Sequence, residues 1–457
     1  MIGAVTYVSA ASFLSCILFG GGRIIFVSAM NGIRAYLLTA SERQTLQAYP
    51  DGALAWDDQG TFCYTGPWSE RPKKPPVVWE ELRPLIVTPG FIDVHSHLPQ
   101  YPAVGIGGYP LLPWLEKFIF PVEQKFSPER AGIEAPQFFN ELKQNGITSA
   151  VVYTTDNPES TDICFQAAKA SGLRVAMGQM IMDVNCPRAS REKQLTNRAL
   201  DESATLCAQW HNAADGRLKY AFSPRFVLTC TEGMMKECGK LAEQAGAFIQ
   251  THLSENPEEL EVVHKMHPEA KDYTNVYELC GLLGPRTIMG HAIYLSAREY
   301  EALAATKTKI AHCPSSNLFL GSGVMDYQKM CEFALEVGLA SDVAGGPELN
   351  PWEVMKAGTY SHQMRAAFVP GSRVPSPAEL FYLATAGGAK VLGEGKRLGQ
   401  LRAGHQADLV AWNPAGLMPY GENAVQEGAD PKVVLARLIY RGAKAGVERI
   451  LVNGGRV

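Results

Sequence analysis

Apolar and polar positions fall into two kinds of block between residues 85 and 345. Short runs rich in Val, Ile, Leu and Ala alternate with longer stretches whose apolar residues stand three and four apart. The first kind predicts β-strands and the second amphipathic helices. Strands are predicted at 90–97, 148–154, 174–182, 218–222, 247–252, 287–291, 309–312 and 337–342. Helical spacing separates many of them, as at 136–143, 233–245, 296–305 and 327–335. Eight β-then-α units in about 260 residues predict an α/β fold, a (β/α)8 TIM-like barrel, whose chemistry gathers at the C-terminal ends of its strands.

The flanks carry a different pattern. Residues 30–87 hold short strand-like pieces around Ala35-Tyr36-Leu37-Leu38 and Thr61-Phe62-Cys63-Tyr64, and residues 388–457 hold others at 407–412 and 447–457. Neither flank is long enough for a good sheet alone, so a small β-sandwich built jointly by both termini is expected. The predicted division is a sandwich part at 30–87, the barrel at 88–387 and the second sandwich part at 388–457. Residues 1–29 form an extension. Its first 22 residues carry no charged side chain, which suits a membrane or targeting segment. It lacks a basic start and a small-residue cleavage site, and Met30 directly precedes the first strand. An over-extended gene start is therefore the favoured reading.

Composition narrows the function. The chain has 457 residues, 46% hydrophobic and 19% charged, which is ordinary for a globular enzyme with a large core. A net charge of −4 without a basic stripe excludes a nucleic-acid partner. Ten cysteines are scattered with no CxxC pair, and several lie in apolar stretches. That pattern suits free thiols in a reducing, cytoplasmic compartment, and membrane association is not expected.

Candidate chemistry sits at the strand ends. His95-Ser96-His97 closes the first strand, and alternate residues of a strand share a face, so the two imidazoles can grip one metal. His252 ends the fifth strand and Asp342 the eighth, giving three imidazoles and a carboxylate. Catalytic zinc takes about that many N/O ligands and keeps a position for water. Glu255, three residues after His252, can take a proton from water and pass it to a ring nitrogen; a helix-start acid is the plainer alternative. His291 ends the sixth strand and can orient or polarise the attacking water. His312 ends the seventh and is expected behind the ligands or in the substrate wall. His211, His264, His267, His362 and His405 are read as surface residues.

At these residues the chain resembles the amidohydrolase superfamily, and in particular its purine deaminases. The resemblance runs from about Met30 to the C-terminus. It rests on Pro89-Gly90-Phe91-Ile92-Asp93-Val94-His95-Ser96-His97 with Gln100-Tyr101, on the stretch 111–126, and on Ser223-Pro224-Arg225-Phe226. It continues through Thr251-His252-Leu253-Ser254-Glu255, His312-Cys313-Pro314-Ser315-Ser316-Asn317 and Ser341-Asp342-Val343-Ala344-Gly345-Gly346. The resemblance implies one zinc per subunit on His95, His97, His252 and Asp342, with His291 close by and Glu255 as proton shuttle. It implies that Gln100 and Arg225 hydrogen-bond a purine edge while Phe226 stacks on its face. The implied substrate is guanine, hydrolysed to xanthine and ammonia, and a homodimer is the expected assembly. Two stretches depart from the family pattern, the N-terminal extension and the rim loops at 321–323 and 347–350.

Other readings are weighed against these residues. A related zinc hydrolase for another purine, a pterin or a triazine ring would use the same metal set and differ only in the pocket. A binuclear site would need a bridging lysine at the end of the fourth strand, where the chain reads Phe222-Ser223-Pro224-Arg225 and Lys219 comes too early. The cytidine-deaminase type is disfavoured by the absent PCxxC. A catalytically dead scaffold would be expected to lose metal ligands, and none is missing.

Overall fold

The computed structural model describes residues 14–18, 24–28, 30–73, 77–186, 188, 194–422, 425 and 428–457. Most of the charge-free extension thus lies outside the described residues; 14–18 and 24–28 pair as antiparallel strands.

Eight parallel strands form the barrel: Phe91–His97, Ile147–Tyr153, Arg174–Gly178, Leu218–Pro224, Phe248–Leu253, Thr287–His291, Lys309–His312 and Val337–Leu339. They pair in chain order, and Met180–Ile181 extends the third strand's contact with the fourth. The first and eighth do not join in a regular ladder. The gap is bridged by Asp342 N donating to His95 O at 2.8 Å and by His97 N donating to Val343 O at 2.9 Å. Asp93 Oδ1 accepts from Ser341 N at 3.1 Å and Oδ2 from Ser341 Oγ at 2.5 Å. These bonds hold the strand ends that carry His95, His97 and Asp342 against one another.

Ile92, Val94, Val151, Ala176, Ala221, Phe248, Ile288, Ala311 and Ala340 form one apolar cluster. Every barrel strand, or the residue directly after the eighth, contributes to it, so it fills the inside. Small side chains dominate because inward residues from all strands share a narrow cylinder. Between Asp93 and Ser96 the first strand advances three residues while its neighbour, from Ala150 to Val152, advances two. That extra residue is a β-bulge, and it shifts the face that alternate residues present. Val94 points inward below it and His95 and His97 point inward above it, an arrangement that strict alternation forbids.

Helices cover the outside, with starts that follow capping rules. Asn256 with Glu259, Ser296 with Glu299 and Ser376 with Glu379 each form a capping box. Among the described residues no helix is long and apolar enough to cross a membrane.

Both termini contribute to a separate seven-stranded mixed sheet, ordered Gly455–Arg456, Gly446–Val452, Leu409–Asn413, Val77–Pro89, Met30–Glu42, Thr45–Trp56, Phe62–Pro67. It encloses its own core, including Ile33, Leu37, Leu54, Phe62, Leu409 and Leu451. Two contacts lock it to the barrel. Phe91 packs edge-on to Trp352 at 4.8 Å and lies 5.6 Å from Trp412. Arg174 of the third barrel strand donates to Asp408 at 2.6 Å.

Candidate active site

Five side chains converge at the C-terminal mouth of the barrel. His95 Nε2 and His97 Nε2 are 3.3 Å apart, and His252 Nε2 is 3.3 Å from His97 Nε2. Asp342 Oδ1 lies 3.2 Å from His95 Nε2 and 3.1 Å from His97 Nε2. His291 Nε2 is 3.7 Å from Asp342 Oδ2. Tetrahedral zinc with bonds of about 2.0–2.1 Å spaces its ligand atoms about 3.3 Å apart. The His95–His97–His252–Asp342 set has that spacing in every pair just given. His95, His252, His291 and Asp342 also place one donor atom each within 4.8 Å of one another, so His291 borders the same point.

The electrostatics suit a cation. His252 Nδ1 lies 2.7 Å from Arg225 O, a carbonyl that can only accept, so Nδ1 carries the proton and Nε2 keeps its lone pair. Burial pushes the His97 imidazole down to about 4, with Asp342 opposing the shift. Burial and the neighbouring His95 and His97 push His252 well below its ordinary range. Burial would raise the Asp342 carboxyl, but hydrogen bonds from His95 and His97 hold it well below the usual value. Neutral imidazoles and an ionised carboxylate are the forms that bind a metal. Gly290 lies against His95: a Cβ there would stand 2.9 Å from His95 Cε1. Ser254, His291 and Asp342 adopt positive φ (48°, 68° and 49°). Each such residue costs about 1–2 kcal/mol, and such strain collects at functional sites.

Glu255 lies one residue ahead of the Asn256 cap, and Glu259 makes the capping contacts. It is therefore not the helix-start acid that a plain reading allows. Its Oε1 accepts from Ser322 Oγ at 2.9 Å and its Oε2 is 3.4 Å from His291 Nε2. Burial and the nearby Asp342 push its carboxyl up to about 8, against the Ser322 hydrogen bond.

Beside this cluster is a pocket bordered by Gln100, Trp114, Leu115, Arg225, Phe226 and Glu255. Gln100 comes from the 3-10 turn Leu98–Ala103 that succeeds the first strand, and Arg225 comes directly after the fourth strand. Both are buried. The Phe226 ring centre is 6.4 Å from that of His252. The structure thus gathers every predicted metal, proton-transfer and pocket residue at one mouth.

Two histidines stand elsewhere than expected, and a third, His312, is absent from the substrate wall. His312 does not border the pocket. Its neighbours Ala311 and Cys313 belong to the inner cluster, so His312 points outward, where its Nε2 lies 3.1 Å from His362 Nε2. His362 and His405 are buried, not surface residues as their segments suggested. His362 lies on the inner side of helix Pro351–Phe368, and His405 is covered where the second flank packs on the first. His211, His264 and His267 are at least partly exposed and lie away from the pocket.

Glu123, which holds two pocket residues from behind, is not singled out by the sequence pattern. It is buried, accepts from Gln100 Nε2 at 2.9 Å and pairs with Arg225 Nη1 at 2.5 Å. The available signal was a lone acid closing the apolar run Phe118-Ile119-Phe120-Pro121-Val122.

Such a mouth on such a barrel marks the class of metal-dependent barrel hydrolases. Comparison with known proteins agrees. The model of the amidohydrolase family matches residues 86–457. A probable guanine deaminase of Deinococcus radiodurans is 34% identical over 421 residues, 90% of this chain and 94% of that one. The structure of the Escherichia coli guanine deaminase superposes with a TM-score of 0.85 at 30% identity, covering 93% of this chain and 99% of that one. A guanine deaminase from C. acetobutylicum, with guanine bound in its active site, also gives 0.85, at 27% identity and 94% and 100% coverage. The chain belongs to the amidohydrolase family, within its guanine deaminase group.

Proposed function

We propose that this chain is a guanine deaminase that hydrolyses the C2 amine of guanine, giving xanthine and ammonia. His95, His97, His252 and Asp342 would hold one zinc per subunit. When bound, zinc supplies Lewis acidity that makes water a competent nucleophile near neutral pH. The remaining work falls to the chain's own side chains. Glu255 takes the proton from the attacking water on a carboxylate oxygen and delivers it to the ring nitrogen beside C2. His291 presents Nε2 to the same space, 3.4 Å from Glu255 Oε2, and orients the water. Its Nδ1 is steadied 2.9 Å from Asn317 Oδ1. Asp342 acts as ligand and as a second acceptor for the water's protons.

Gln100 and Arg225 bind the purine edge and Phe226 stacks on its face, while Trp114 and Leu115 close the pocket against solvent. The observation that carries the substrate is the buried Arg225 facing the same pocket as Glu255. A guanidinium offers donors only, which matches a ring carbonyl and opposes a ring amine. The same reading puts the enzyme in the cytoplasm as a homodimer. Among the described residues the cysteines form no disulfide, which supports the compartment. The exposed stripe Tyr360, Met364 and Phe368, spaced four apart on one helix, supports self-association.

Ammonia release from guanine, 8-oxoguanine, adenine, pterin and ammeline tests the proposal. Guanine should react fastest, with adenine essentially inert. Equal rates on the two purines, or a preference for adenine, pterin or ammeline, would overturn it.

A further inference from the structure

Glu123 is a buried acid that the chemistry above leaves without a role. It lies on the segment that runs from the helical turn Leu111–Trp114 through a π-helical turn, Leu115–Ile119, into Phe120–Gln124. A π turn inserts one residue into the helical repeat and re-aims the side chains beyond it. Here Trp114 and Leu115 line the pocket, while Phe120 and Glu123 meet Arg225. The Arg225 guanidinium carbon is 5.1 Å from the Phe120 ring centre. Glu123 Oε2 accepts from Arg225 Nη1, and Glu123 Oε1 accepts from Gln100 Nε2. One carboxylate thereby holds two pocket residues from separate loops.

The chemistry of the contact fixes an orientation. A carboxylate paired with a guanidinium has acceptors only, so Gln100 must give it the amide NH2. The two ends of a glutamine amide are nearly the same shape, so the partner decides which end faces where. With Nε2 committed to Glu123, the carbonyl Oε1 is the end left for a ligand. Arg225 commits Nη1 to Glu123, with Met180 Sδ also 3.3 Å away, and keeps further N–H donors for the pocket. The result is a donor and an acceptor side by side. A 6-oxopurine presents the complement, a carbonyl acceptor beside a ring N–H donor. A 6-aminopurine presents the reverse, an amine donor beside an unprotonated nitrogen.

We propose that Glu123 is a positioning residue that sets the donor–acceptor polarity of the Gln100–Arg225 pair and thereby selects the lactam edge of a 6-oxopurine. This rests on the guanine reading above and deepens it. It also explains how a buried guanidinium serves an uncharged ligand: the paired carboxylate cancels its charge.

Calorimetric binding of two purines to the zinc-loaded protein tests it: hypoxanthine, a 6-oxopurine with no amine to release, and adenine. In Glu123→Gln the Gln100 amide is free to turn. Hypoxanthine affinity should fall tenfold or more and adenine should not fall with it, so their ratio narrows at least tenfold. On guanine, KM should rise while kcat stays within a few-fold and zinc content is unchanged. Glu123→Asp keeps the charge but is one methylene shorter, so it should give an intermediate ratio; it decides the matter if Glu123→Gln fails to fold. A ratio unchanged in a variant that keeps zinc, or equal losses for both purines, would overturn the proposal while leaving guanine deamination standing. A wild-type protein that neither binds hypoxanthine nor releases ammonia from guanine would overturn the parent reading as well.

Discussion

Ser322 Oγ donates a 2.9 Å hydrogen bond to Glu255 Oε1. The serine lies in the rim loop at 321–323 and is fully buried. A hydroxyl aimed at one carboxylate oxygen leaves the other, Oε2, toward His291. The bond therefore sets which oxygen of Glu255 points toward His291.

Two substitutions separate Glu255 from its support. Glu255→Gln should keep zinc and lose about 10²-fold or more in turnover, because an amide cannot accept and return the proton. Ser322→Ala should keep zinc and leave KM for guanine nearly unchanged. Its kcat should fall about tenfold, the scale of one hydrogen bond to a charged group. Steady-state kinetics beside metal analysis check both. Normal turnover in Glu255→Gln would return that residue to a structural role.

Metal content is the second test. The purified protein should hold about one zinc per subunit, and His95→Ala or His252→Ala should remove zinc and activity together. Gly290→Ala should lower zinc occupancy without touching a ligand, since its Cβ would press on the His95 ring at 2.9 Å. Plasma emission spectrometry of dialysed protein gives the answer, and a fully active metal-free preparation would contradict the assignment.

Arg225→Ala tests the pocket. KM for guanine should rise about tenfold or more, and the gap between guanine and adenine should narrow. Removing Arg225 also leaves Glu123 as a buried uncompensated carboxylate, so stability should fall by about 3–5 kcal/mol. Initial ammonia-release rates and a urea melt measure the two effects. An unchanged ratio of rates would show that Arg225 does not read the purine edge.

The junction of sheet and barrel is tested by Phe91→Ala. Phe91 is fully buried and contacts Trp352, Phe381 and Trp412. Its loss should cost about 3–5 kcal/mol, since these large rings cannot collapse into the space. The urea midpoint should fall at unchanged slope. A shift below about 1 kcal/mol would mean that the two parts do not depend on this contact.

The sequence by itself determined the barrel and the residue types at its mouth. Short apolar runs bounded by turn residues locate all eight strands, six of them within a residue or two, because strand burial is written in the strand's own residues; the third and eighth end earlier than their runs, at Gly178 and Leu339. His252, His291 and Asp342 are legible because each stands at or just past the end of such a run. The tertiary structure decided where side chains point and what they meet. The bulge between Asp93 and Ser96 is defined only against the neighbouring strand, yet it lets Val94 and His95 share the inner face. The outward turn of His312 results from the inward set of Ala311 and Cys313, and its partner His362 is 50 residues away. Glu123 and Arg225 are separated by 102 residues, so no local pattern joins them. A single acid in an apolar run reads the same in either role; what fixes it is a buried guanidinium and an amide carried to it by other elements.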